Sequence, residues 1–289
     1  GVDQGRVRSY TFDNVQGNHS LKVVFSRIIT DEISDSVLRS KIRTALGNKP
    51  SDYAITEEDM LSLTVLDAQY YIGAEITDIS GLQYAENLEE LYLSGNEISD
   101  ITHLAGLTKL KKLSLYNNNT LSDISPLAGL TNLTDLDLYN NHISDISALS
   151  NLKKMKFLQI YSNSISDISP LSQMSDLHYL DAGGNKIRDI SKLANLTNLT
   201  YIGLGRNNIS DISALKTLVD NAANPSSINI FLSENYLNLA NGTKTKENID
   251  YMVGKGVAVL YDSQKSLSQT PFDAKAQAGA TRVDLSWDY

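Results

Sequence analysis

The 289-residue chain has no cysteine, one tryptophan, five prolines and four histidines. Without cysteine there are no disulfides and no thiolate metal sites; the compartment stays open, since a large core can dispense with cross-links. No apolar run approaches the roughly 18–20 residues of a membrane span, so no direct membrane insertion is expected. The first residues, GVDQGRVRSY, lack the charged-then-apolar pattern of an export signal, and the chain is expected to begin after any such signal. Basic residues are also outnumbered, 25 Lys and Arg against 34 Asp and Glu, a net charge of −9. A nucleic-acid groove or an anionic bilayer attracts clustered cations, so neither partner is expected.

What is abundant is one phrase. LDLYNNHISDISAL at 136–149 returns as LYLSGNEISDITHL at 91–104, LQIYSNSISDISPL at 158–171, LDAGGNKIRDISKL at 180–193 and IGLGRNNISDISAL at 202–215. A further copy, LSLYNNNTLSDISPL at 113–127, carries one extra residue after Asn118, and degenerate copies begin at Leu66 and near Ile230. A fixed period of about 22 residues is the mark of a solenoid, each repeat one turn stacked on its neighbours. Leu130, Leu133, Leu136, Leu138, Ile143, Ile146 and Leu149 have apolar counterparts in the other copies and point inward. One turn alone buries too little to offset the entropy of ordering it, so the turns must share a core and a parallel ladder of LxL strands.

Two polar positions recur with the same strictness. Asn96, Asn118, Asn141, Asn163, Asn185, Asn207 and Asn235 stand where each strand must turn, and their amides suit the backbone groups that the turn removes from the ladder. They read as a structural asparagine ladder. Asp100, Asp123, Asp145, Asp167, Asp189 and Asp211 offer carboxylates for acid/base or calcium chemistry, but a catalytic pair is unique and sits in a dry pocket. A carboxylate repeated in every turn beside Ser or Thr reads as a cap on a short convex helical turn.

The pattern LxxLxxLxLxxNxISDISxL, held in register over 66–239, resembles the leucine-rich repeats of the internalins, a family of bacterial surface proteins. The resemblance implies an α/β solenoid with a parallel sheet on the concave face, short helical turns on the convex face and a helical N-terminal cap. The residues agree: DSVLRSKIRTAL at 35–46 spaces Leu38, Ile42 and Leu46 four apart, and Thr56 with Asp59 opens a second helix, so 30–65 reads as that cap. Over 240–268, KENIDYMVGKG reads as a helix ended by Gly254 or Gly256 and VAVLY as a closing strand. Outside the solenoid, 1–29 resembles the last strands of small β-modules of Gram-positive surface proteins, with a hairpin turning at Gln16–Asn18. Residues 269–289 resemble the start of a fibronectin type III domain, with Trp287 as a core residue. A cell-surface or secreted location follows from these resemblances.

With the scaffold assigned, alternation leaves the other strand residues on the concave face. The position after each LxL gives Ser94, Tyr116, Tyr139, Tyr161, Gly183 and Gly205; the position before it gives Glu90, Lys112, Asp135, Phe157, Tyr179 and Tyr201. Tyr92 and Phe231 occupy the middle position of the outer strands. Strands about 4.8 Å apart make each triplet an aromatic strip about 10 Å long, with Gly183 and Gly205 expected to leave a bare socket beside Tyr179 and Tyr201. Ring-on-ring packing explains one strip; two offset strips on one face point to a contact surface for a partner protein. The resemblance implies the same, since internalins carry concave aromatics that contact host proteins. Carbohydrate is the alternative partner, with Asp135, Asp137, Gln159 and Asp181 beside the rings, and a spacer that only projects neighbouring modules is a third reading. His19, His103, His142 and His178 fall in different modules or turns, and no nucleophile triad, metal-ligand spacing or phosphate loop is present. No catalysis, cofactor or metal is expected.

Overall fold

Each LxL segment, together with the residue before it, supplies a three-residue strand that ends at its middle position, because the next turn offers a similar one in register. The computed structural model describes residues 26–70 and 75–265. The expected β-modules at 1–29 and 269–289, apart from residues 26–29, lie outside the described residues, as do Trp287 and His19. Nine parallel strands form one sheet in chain order: β1 (Val65–Asp67), β2 (Glu90–Tyr92), β3 (Lys112–Ser114), β4 (Asp135–Asp137), β5 (Phe157–Gln159), β6 (Tyr179–Asp181), β7 (Tyr201–Gly203), β8 (Asn229–Phe231) and β9 (Ala258–Leu260). Leu91, Leu113, Leu136, Leu158, Leu180, Ile202 and Ile230 pair strand to strand and are buried, so one aliphatic column runs the length of the sheet. Ile146, Leu149, Leu152 and their counterparts close the core from the convex side.

The convex aspartates do a slightly different job from helix capping. Each carboxylate accepts the N–H two residues on: Asp100 from Thr102, Asp123 from Ser125 and Asp145 from Ser147 at 2.8 Å, with the same bond in the later turns. The N-cap itself is an isoleucine such as Ile146, so the aspartate closes a side-chain turn that starts the 3-10 segment. These backbone bonds hold the Asp100, Asp145, Asp189 and Asp211 carboxyls below the ordinary carboxylate range.

Helices stand at both ends. α1 (Ser36–Ala45) starts at Asp35, whose Oδ1 accepts from Val37 and Leu38 N–H, and it buries Leu38 and Ile42. α2 (Glu57–Ser62) opens with reciprocal bonds between Thr56 and Asp59. After β7 the interval to the next strand lengthens from 22 residues (179 to 201) to 28 (201 to 229). The extra length, rich in helix formers, makes a true α-helix, α3 (Ser213–Asn221), burying Leu215, Leu218 and Val219, where a short turn was expected. α4 (Lys244–Gly254) packs on α3, with the Tyr251 hydroxyl donating to Asp220 at 2.6 Å and Lys216 lying 4.2 Å from the Tyr251 ring centroid.

Candidate functional site

The strand register sorts the concave side chains into three columns. The first runs Glu90, Lys112, Asp135, Phe157, Tyr179, Tyr201; the second runs Tyr92, Ser114, Asp137, Gln159, Asp181, Gly203, Phe231. The third, just past the strands, holds Tyr116, Tyr139 and Tyr161. Phe157 and Tyr179 stack with centroids 4.4 Å apart and planes 15° from parallel, and Tyr179 and Tyr201 at 4.3 Å and 10°. Phe231 joins from the second column, 4.9 Å from Tyr201, so the expected three-ring strip is a four-ring stack over β5–β8. In the third column Tyr139 and Tyr161 meet at 5.6 Å, tilted by 37°, with Tyr116 one strand earlier. Tyr92 stands apart and donates to Glu90 Oε2 at 2.6 Å. All eight rings are half-buried, and for the six that meet another ring the neighbour covers part of a face.

Of the two glycines expected to leave a socket, Gly183 is covered by the Tyr161 ring, and at Gly205 a Cβ would meet the Ser233 carbonyl at 3.2 Å. A Cβ on Gly183 would lie 2.7 Å from Tyr161 Cδ2, and one on Gly203 would lie 2.5 Å from Asp181 Oδ1. These glycines exist so that the Tyr161 ring and the Asp181 carboxylate can lie flat on the next turn. The open space lies elsewhere, as a hollow of about 240 Å³ over β3 and β4 between Tyr92 and Phe157, with Ser114, Asp135 and Asp137 along it and Lys112 at its rim.

A family model of leucine-rich repeats, each match two copies long, fits residues 86–129, 131–173 and 175–217. The structure of internalin C2 from Listeria monocytogenes is 31% identical and aligns over 84% of this chain and all of its own, with a TM-score of 0.69. The chain belongs to the internalin-like leucine-rich repeat proteins. Two further Listeria monocytogenes internalins are similar: InlF at 26% identity (84% of this chain, 94% of its own, TM-score 0.36) and the functional domain of InlJ at 19% (84% and 62%, TM-score 0.45). No curated protein matches the sequence.

Beneath the concave face of this internalin-like solenoid, the seven asparagines donate to the same two carbonyl positions, and six of them, Asn141 excepted, also accept an isoleucine N–H. Asn207 Nδ2 donates to Leu204 O at 3.1 Å in its own turn and to Ala182 O at 2.9 Å in the turn before, and its Oδ1 accepts Ile187 N–H at 3.0 Å. Each turn carbonyl is thereby held twice, Ala182 O also accepting from Asn185 Nδ2 at 3.1 Å. The insertion after Asn118 is absorbed by one altered rung: Asn141 Oδ1 takes the Asn118 N–H at 3.1 Å. Gln264, which the repeat pattern does not mark, closes the column. Its Nε2 donates to Leu232 O at 3.1 Å and its Oε1 accepts Leu237 N–H at 3.4 Å, the bonds a next asparagine would make, and also Asn235 N–H at 3.2 Å, as at the altered rung.

The residue before each ladder asparagine was also missed by sequence reasoning. Gly95, Asn117, Asn140, Ser162, Gly184, Arg206 and Glu234 all have φ between 53° and 72°. Only glycine and asparagine advertise that conformation, and three of the seven are neither. The five that carry side chains form a second, mostly half-buried row: Asn140 Nδ2 donates to Asn117 Oδ1 at 2.8 Å, and Arg206 pairs with Glu234 at 3.0 Å.

Electrostatically the second column is acidic and short of cations. Burial pushes the Asp137 carboxyl up, as does the nearby Asp181 charge, against one bond from Tyr139 N–H at 3.0 Å. Burial likewise raises Asp181, and burial first, then the Tyr201 and Asp181 neighbours, raises the Tyr179 hydroxyl. His103, His142 and His178 stand in separate turns, and among the described residues no group of His, Asp or Glu is arranged to hold a metal ion. No described helix is long and apolar enough to cross a membrane.

Proposed function

We propose that the chain is an extracellular, non-enzymatic recognition module that binds a partner protein on its concave face. The observation that carries this reading is the stack Phe157–Tyr179–Tyr201–Phe231, four rings across four adjacent strands on an otherwise open sheet, with Tyr139 and Tyr161 set obliquely beside it. Aromatic rings fixed by their neighbours lose little entropy on binding and offer large contact area, which suits them to hot spots. The strips span enough turns for an interface of ~800 Å² per partner. Kinship with surface proteins supports the extracellular assignment, and the repetition of the convex aspartates, each engaged by a backbone N–H of its own turn, supports a binding rather than catalytic role.

The test compares the wild type with a Tyr139→Ala, Tyr179→Ala double variant in a screen against displayed peptides and proteins. A folded variant that binds every wild-type ligand equally well sinks the proposal. A second reading, carbohydrate, is favoured by Asp137, Gln159 and Asp181 lying in register between the two aromatic strips, the mix of ring and polar group that sugars use. Response on a glycan array with blank protein screens would select it. Blank results on both, with the variant fully tolerated, would leave a spacer.

A further inference from the structure

Among the described residues of the concave face, a hollow over β3 and β4 lies open between Tyr92 and Phe157. At about 240 Å³ it falls below the range of about 300–1,000 Å³ typical for whole small molecules, and suits a single inserted side chain. Its lining has a definite chemistry. Tyr92 and Phe157 stand at its two ends, and Asp135 and Asp137 rise from adjacent columns of β4. One oxygen of each carboxylate is engaged: Asp135 Oδ2 accepts from Thr134 Oγ1 at 2.6 Å, and Asp137 Oδ1 accepts the Tyr139 N–H. Asp135 Oδ1 and Asp137 Oδ2 have no hydrogen-bond partner among the described residues.

The charges around the hollow do not balance. Lys112 at the rim is already tied to Glu90 at 3.0 Å, and Glu90 also takes the Tyr92 hydroxyl. Among the described residues Lys112 is the ammonium that lines the hollow with Asp135 and Asp137; Lys111, whose charge also reaches Glu90, is tied to Glu89 at 2.7 Å, and Asp181 adds a further carboxylate two strands away. Half-buried carboxylates without a cation are costly, and a charge-assisted bond to an incoming donor recovers that cost. An aromatic ring beside the carboxylates favours the same guest, since ring faces attract cations and cover an aliphatic stem.

Resting on the protein-recognition reading above, we propose that this hollow receives a lysine or arginine side chain of the partner protein, its cationic head on Asp135 and Asp137 and its stem along Phe157. The anchor is local, so the rings of the stack would give area while the hollow gives register and selection for a basic residue. Lys112 opposes the guest and limits how many cations the site accepts.

The experiment selects binders from a random dodecapeptide library on the whole chain, then measures synthetic peptides on wild type, Asp137→Asn, Lys112→Ala and the Tyr139→Ala, Tyr179→Ala variant. Asparagine at 137 keeps an acceptor for the Tyr139 N–H, so this variant preserves the turn. Expected are peptides enriched in Lys or Arg, about tenfold weaker on Asp137→Asn and tighter on Lys112→Ala. Replacing the basic residue of the peptide by norleucine should cost affinity on wild type and little on Asp137→Asn. Binders that need the tyrosines but lack a basic residue, or that bind Asp137→Asn unchanged, overturn the basic-anchor inference alone. No binders at all, or binders indifferent to the tyrosine variant, overturn the protein-recognition reading with it.

Discussion

The double hold on each turn carbonyl predicts that neighbouring ladder asparagines are coupled. Asn207→Ala strands the buried Ile187 N–H, at about 1–3 kcal/mol, and removes one of two donors from Ala182 O and Leu204 O. The single substitution should therefore cost about 2–4 kcal/mol, since each carbonyl keeps its other asparagine. Asn185→Ala should cost a similar amount, stranding Ile165 N–H. Together they leave Ala182 O with no donor among the described residues, because Asn185 and Asn207 are the two that reach it. The double variant should exceed the sum of the singles by about 1–3 kcal/mol. Asn96→Ala with Asn207→Ala, which share no carbonyl, should add to within about 0.5 kcal/mol. Guanidinium unfolding followed by far-UV circular dichroism measures all five variants. If the adjacent pair adds as simply as the distant pair, the redundancy argument is wrong.

Gly183→Ala should lower stability by about 1–3 kcal/mol, because its Cβ meets the Tyr161 ring at 2.7 Å and the Gly205 carbonyl at 3.0 Å; an unshifted melting temperature would contradict the packing described. Asp137→Asn should stabilise the fold at neutral pH: burial holds the folded carboxyl above its unfolded value, so its charge destabilises the fold above that folded pKa, and the penalty fades as pH falls through it. Melting curves from neutral pH to about pH 3 should show the gap between variant and wild type closing on acidification, and a gap that widens would refute the sign. Thr56→Ala removes the hydroxyl half of the box that opens α2, leaving the residue-56 backbone N–H on Asp59, and should cost about 1 kcal/mol, read as faster amide exchange in Glu57–Ser62; unchanged exchange would speak against it.

Much of the fold was legible because a repeat states its own register. Leu136 and Leu138 face the core in one copy, and the same spacing in the other copies places the whole column. Thr56 and Asp59 announced α2 through a local bond, which sequence distance captures well. α3 escaped notice because ISAL begins it as it begins a short turn, and the choice of helix depends on the room left by the longer interval to β8. At the site, the two aromatic strips were readable from alternation, yet the socket was misplaced: the sequence shows that Gly183 lacks a side chain, not that Tyr161 leans from the previous turn to cover it. The part played by Gln264 was equally hidden, since it reaches the ladder through the last turn from outside the repeat.

Periodicity by itself determined the solenoid, the buried aliphatics and which side chains share the concave face, because those follow from strand alternation and a constant turn length. Tertiary structure alone decided which rings touch, which carboxylates are desolvated and where the face stays open. Those outcomes depend on the lean of each side chain across to the neighbouring turn, and no residue encodes that lean without its neighbour in place.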